Sequence, residues 1–187
     1  MKELKPAILM TLLLTLLCGG VYPAAVTALA QALFPEEANG SLILDATGQA
    51  TGSALIGQPF RESRYFWPRP SATAGFPYNP TASGGSNLGP TNPALLTAVA
   101  DRVSALRASG IAGPIPAELV LASASGLDPH LSPAAAAVQI PRVAKARGMD
   151  KEAVARLVTA HTEGRQFGFL GAPRVNVLLL NQALDNR

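Results

Sequence analysis

Cysteine is almost absent. The one thiol among 187 residues, Cys18, lies inside an apolar run, so the chain beyond it can form no internal disulfide and no cysteine-based metal site. Histidine is nearly as scarce. His130 and His161 stand far apart in sequence with no His-x-x-x-His pair, which argues against a zinc-type ligand set. Asp45, Glu62, Asp101 and Glu118 are scattered, so no oxygen-ligand cluster is visible either. Charged residues make up only 14% of the chain. Two of the 15 basic and one of the 12 acidic side chains precede Glu36; the remainder is nearly balanced, and the sequence pI near 9.4 reflects a small excess. No Lys/Arg cluster with interleaved aromatics occurs, which argues against a nucleic-acid face.

Catalytic signatures are missing as well. No Walker lysine follows a glycine loop. The ASGGSN stretch, with Ser83, Gly84, Gly85, Ser86 and Asn87, is a weak nucleotide candidate, and a close-packed turn is the plainer reading. Leu88 stands where a G-x-S-x-G elbow around Ser86 would need glycine. The stretch ASASGLDPHLSP (residues 122–133) collects serines, Asp128 and His130, but only Pro129 separates the acid from the imidazole. A local Asx turn at Asp128 explains that dipeptide without a triad. Ser132-Pro133 reads as a helix start: a capping hydroxyl, then proline at the first helical position. No catalytic residue, metal ligand or cofactor of the chain's own is assigned. Asp128, His130 and Trp67 are candidates for loop or partner contacts.

A long apolar stretch is what the chain does have. Pro6 to Pro35 carries no charge, and about 20 apolar residues suffice for a helix to cross a bilayer. The run is roughly twice a signal-peptide core, which favours a retained anchor over residues 6–33. The alternative is a secreted binding protein or enzyme released by cleavage at Ala28-Leu29-Ala30. A lipoprotein signal does not fit, because Leu17 precedes Cys18. Lys2 and Lys5 lie on one side, whereas Glu36 and Glu37 open the other and no base follows until Arg61. The positive-inside tendency then puts residues 1–5 in the cytoplasm and residues 34–187 outside it, in the periplasm. Gly20, Ala24, Ala28 and Ala32 recur every four residues, a face that admits a partner's membrane helix or simply reflects alanine-rich composition. Pro23 introduces a kink.

Beyond the anchor the pattern is mixed α+β. Strands are expected at Ser41–Leu44, Ser53–Ile56 and Glu118–Ala122, and helices at Pro93–Ala108, at 133–147 with a kink at Pro141, and from an Asp150 cap to His161. In Arg64–Ala72, prolines extend the backbone, so Tyr65, Phe66 and Trp67 alternate faces, one entering the core and another either buried too or turned to a partner or the membrane surface. Residues 71–93 form a Pro/Gly/Ser-rich loop, with Phe76, Tyr78 and Leu88 as anchors and Asn79, Asn87 and Asn92 as turn caps. Residues 175–184 fit both strand and helix.

An N-terminal anchor followed by YFWPRPSA, NPTASGGSNLGPTNP, ASASGLDPHLSPAAAAVQIPRVAKARG and FGFLGAPRVNVLLLNQALD resembles the C subunit of bacterial Kdp potassium-transporting ATPases over essentially the whole chain. Leu179 departs from the acidic residue expected there. The resemblance implies a place in the inner membrane beside a potassium-selective channel-like subunit, a P-type ATPase subunit and a small membrane peptide. ATP and potassium would then be handled by the complex. The P-type Asp-Lys-Thr-Gly signature is missing here, since Asp150-Lys151 is followed by Glu152. The resemblance also implies either a catalytic chaperone that raises the ATPase subunit's affinity for ATP or a stabiliser of the assembly. An extracytoplasmic domain argues against direct ATP contact.

Overall fold

A computed structural model describes residues 2–186. The chain divides into two compact units, one ending at Ser53 and the other beginning at Ala54.

The first unit is dominated by one apolar helix spanning Leu4–Leu33, long and apolar enough to cross a membrane, with none of its apolar window buried in protein. It is not uniform. Helix α1 (Leu4–Leu16) passes into a π turn (Leu17–Val21) and then α2 (Tyr22–Leu33), with Pro23 at the head of α2. The proline has no N–H to give and its ring crowds the preceding turn. A widened turn just before it is a local form in which a missing N–H is accommodated. Gly20, Ala24, Ala28 and Ala32 are all exposed. After the short α3 (Pro35–Ala38), β1 (Leu42–Leu44) and β2 (Ala50–Ser53) form an antiparallel hairpin. The second strand therefore uses ATGS and not the expected SALI. The turn decides this: Asp45 accepts the amides of Thr47 and Gln49, and Gly48 takes a positive φ, so pairing starts at Ala50.

In the second unit, α4 (Pro93–Ala108) starts at an Asn92 side-chain cap and ends where Gly110 adopts a left-handed φ. Its inner face carries Leu95, Val99, Val103 and Leu106, whereas Leu96 faces solvent. No strand forms at 118–122. The chain makes a 3-10 turn there (Ala117–Leu119), led by Pro116, and Glu118 is spent on the next helix start, accepting from the backbone N–H and the hydroxyl of Ser132. Ser132 in turn caps α5 (Pro133–Ala137) by accepting from the Ala135 amide.

The expected single helix over 133–147 is two helices. The chain turns at Val138–Gln139, and Pro141 opens α6 (Ile140–Arg147) in the position where a missing N–H costs nothing. Gly148 closes it in the left-handed conformation. Helix α7 (Lys151–Ala160) follows; Asp150 holds the cap position without a side-chain cap bond. Residues 175–184 resolve as both readings in series: β5 (Arg174–Asn176), then α8 (Val177–Asp185), with the Asn176 side chain accepting from the amides of Leu178 and Leu179. Strand β5 is central in a small antiparallel sheet, flanked by β3 (His130–Leu131) and β4 (Thr162–Glu163). Leu131, Val143, Val154, Val175, Leu180 and Leu184 form the centre of the core between this sheet and the helices, with Phe66 inserted from the extended segment.

Candidate functional site

The extended segment around Phe66 and Trp67 is held by side chains that imitate a neighbouring strand. Phe66 donates its amide to Asn181 Oδ1 at 2.8 Å and accepts from Asn181 Nδ2 at 3.0 Å. Trp67 does the same with Gln139, at 2.8 and 3.0 Å. Both amide side chains are almost wholly buried, so each satisfies a backbone pair that would otherwise be stranded in the core. Arg142 completes the clamp. It donates to the carbonyls of Ser63 and Tyr65 and to Gln139 Oε1, and its guanidinium lies 4.2 Å from the Trp67 ring centre. Burial lowers its pKa to about 10. Arg142 Nε and Arg69 Nε are buried without a partner among the described residues. Of the three consecutive aromatics, Phe66 enters the core and Trp67 is half-buried, with its indole N–H given to the Glu62 carbonyl.

Next to the clamp, an open groove of about 450 Å³ runs between Phe60, Trp67, Pro68, Pro70 and Tyr78 on one side and α4 on the other. Arg61, Arg69 and Arg102 line it, and no carboxylate does among the described residues. The groove floor is fixed by Tyr78, the one of the three expected loop anchors that is buried; Phe76 and Leu88 are exposed. The Tyr78 hydroxyl donates to the Arg69 carbonyl, and burial raises its pKa. Ser71 Oγ accepts from the Tyr78 amide at 2.9 Å and donates to the Gly126 carbonyl at 2.7 Å. The first half of the 71–93 loop is thus tied down through Ser71, Thr73 and Asn79. Asn79 and Asn92 cap the turns after them as expected, while Asn87 takes a positive φ.

The stretch that resembles an active site is a structural turn. Asp128 Oδ1 accepts from the His130 amide at 3.0 Å and contacts His130 Nδ1 at 3.3 Å, while Arg69 pairs with Oδ2 at 2.9 Å. Burial alone would raise the Asp128 pKa, but the bonds from His130 and Arg69 hold it down at about 2. Ser125 Oγ accepts from the Leu127 amide. The glycine-rich stretch leans on this turn. The Gly84 amide and the Ser83 hydroxyl both donate to the Ser125 carbonyl, and a Cβ on Gly85 would stand 3.0 Å from the Ala124 oxygen. These groups serve loop-to-loop packing; Ser86 and Asn87 are exposed. His161 Nδ1 lies 2.9 Å from the Leu157 carbonyl and finishes α7. Among the described residues no group of three His, Cys, Asp or Glu side chains could hold a metal.

Sequence reasoning missed the clamp and the groove. Gln139 and Asn181 were detectable as polar residues next to apolar runs, Gln139 in AAAAVQI and Asn181 after VLLL. The arginines of the groove come from distant segments and carried no local signal. The tip between β4 and β5 exposes Phe167 and Phe169, at 87% and 69%.

Residues 4–186 match the family model for KdpC, the K+-transporting ATPase c chain. The potassium-transporting ATPase KdpC subunit of Geobacter sulfurreducens is 68% identical over 99% of this chain and 98% of its own. That of Geobacter metallireducens is 66% identical over the same shares. That of Methylococcus capsulatus is 60% identical over 98% and 97%. The chain belongs to the KdpC family. Membership gives no support to a free protein released by signal cleavage.

Proposed function

From that membership we propose that the chain is a non-catalytic accessory subunit of an ATP-driven potassium uptake complex. ATP and potassium are handled at the level of the complex, and the chain contributes assembly and stability. Its partners are a potassium-selective channel-like subunit, a P-type ATPase subunit and a small membrane peptide. The Leu4–Leu33 helix anchors it in the inner membrane, with Lys2 and Lys5 on the cytoplasmic side and the second unit in the periplasm. The face carrying Gly20, Ala24, Ala28 and Ala32 packs against a partner's membrane helix. Any influence on ATP affinity then passes through the complex.

The carrying observation is the combination of a long, exposed apolar helix with a domain in which Glu118, Asp128, Ser132 and His161 are bonded into local turns and caps. Such a domain offers surfaces and no poised nucleophile or base. The test is reconstitution. The purified chain alone is expected to hydrolyse no ATP, and a complex prepared without it is expected to lose potassium-stimulated ATPase activity. Turnover by the chain alone, or full activity without it, would overturn the reading.

A further inference from the structure

We propose that the groove between the clamped aromatic segment and α4 docks an extended, acidic segment of a partner polypeptide in the complex. The inference rests on the reading of the chain as a subunit and adds the site and the chemistry of what it receives.

Charge complementarity points to the occupant. Arg61 is exposed and makes no ion pair among the described residues; its acidic neighbour Glu62 is taken by Arg64 at 2.9 Å. Arg102 gives one nitrogen to the Val120 carbonyl and has no carboxylate partner among the described residues. Arg69 alone is neutralised, by Asp128. Two uncompensated guanidiniums on one groove favour carboxylates, which they bind through paired N–H donors.

The walls choose between a small anion and a chain. Proline and aromatic rings dominate them, and the groove is open along its length, the form in which extended peptides are recognised. The polar atoms of the floor are already used internally: the Tyr78 hydroxyl by Arg69, Ser71 Oγ by Gly126 and Tyr78. A sugar or nucleotide needs several convergent free polar groups, and among the described side chains that line the groove only guanidiniums remain. The surface is also preformed. Gln139 and Arg142 fix Trp67 from behind, so little side-chain freedom is lost on docking.

The test uses the full chain co-expressed with its partner subunits. A photo-crosslinking phenylalanine replaces Ala105, an exposed residue on the α4 rim, and adducts are mapped by mass spectrometry. The expected adduct is on a partner segment rich in Asp or Glu. Arg61→Glu should cut its yield about fivefold, in the range of one surface ion pair, and reversing an acid in the mapped segment to Arg should restore it. Absence of a polypeptide adduct, an adduct on a segment without acids, or suppression by excess ATP in the parent but not in Arg61→Glu would each overturn the proposal. Co-purification of the subunits is scored in the same samples. If it persists while the adduct fails, the groove is wrong and the subunit role stands; if it is lost without any change at the groove, the subunit role itself fails.

Discussion

Gly57 has no room for a side chain. A Cβ there would lie 2.4 Å from Tyr78 Cε1, and the ring cannot retreat without breaking its hydroxyl bond to Arg69. Gly57→Ala should therefore destabilise the full chain by about 2 kcal/mol, seen as a lower urea midpoint in detergent with Trp67 fluorescence as the probe; an unchanged midpoint would mean that the groove floor is loose. Asp128 gives a pH-dependent counterpart. Its folded pKa of about 2 lies below the ordinary 3.8, so its bonds to His130 and Arg69 contribute fully above that ordinary value and are lost as pH falls through about 2. Asp128→Asn should cost about 1 kcal/mol at neutral pH, allowing for partial solvent screening, with the gap to the parent closing toward pH 2. A gap of constant size across that window would show that the carboxylate charge does not hold the turn.

The clamp operates between elements: the α5–α6 break supplies Gln139 and α8 supplies Asn181, and both grip one extended strand-like segment. Gln139→Leu strands the Trp67 amide and carbonyl together with an Arg142 donor, so a loss of about 3 kcal/mol and a red-shifted tryptophan emission are expected. Arg142→Lys should fail to conserve the clamp, because an ammonium cannot stack on Trp67 while serving the Ser63, Tyr65 and Gln139 acceptors. Full stability in either variant would contradict the clamp. In the membrane segment, Ala24→Leu with Ala28→Leu should reduce the partner subunits recovered with the chain; unchanged recovery would show that this face meets lipid.

How much of these elements the sequence discloses depends on how local their causes are. Helix α4 was readable to the residue because its signals, Asn92-Pro93 at one end and Gly110 at the other, lie within two residues of its own ends. The start of α5 at Ser132 was readable for the same reason. The apolar LVLA run after Pro116 suggested a strand, yet Glu118 is drawn to Ser132 and Ala117–Leu119 closes into a 3-10 turn. The 133–147 helix breaks ahead of Pro141 because Gln139 is needed at the Trp67 backbone, a requirement set 72 residues away. The groove is the extreme case, since Arg61, Arg69 and Arg102 converge only after folding.

At the scale of the whole molecule, the account turns on which side of the membrane the second unit occupies. The proposed orientation, which rests on the charge asymmetry about the Leu4–Leu33 helix, has it outside; the groove is then a docking surface for extracytoplasmic segments, away from cytoplasmic ATP. Thiol labelling tests this directly, because Cys18 is the chain's one native cysteine. Cys18→Ala with Gly89→Cys, an exposed position with no neighbour within 4 Å of its new Cβ, would be co-expressed with the partner subunits and treated with a membrane-impermeant maleimide in intact and lysed cells. Labelling in intact cells is the predicted result. Labelling only after lysis would put the domain in the cytoplasm and contradict both the orientation and the extracytoplasmic role built on it.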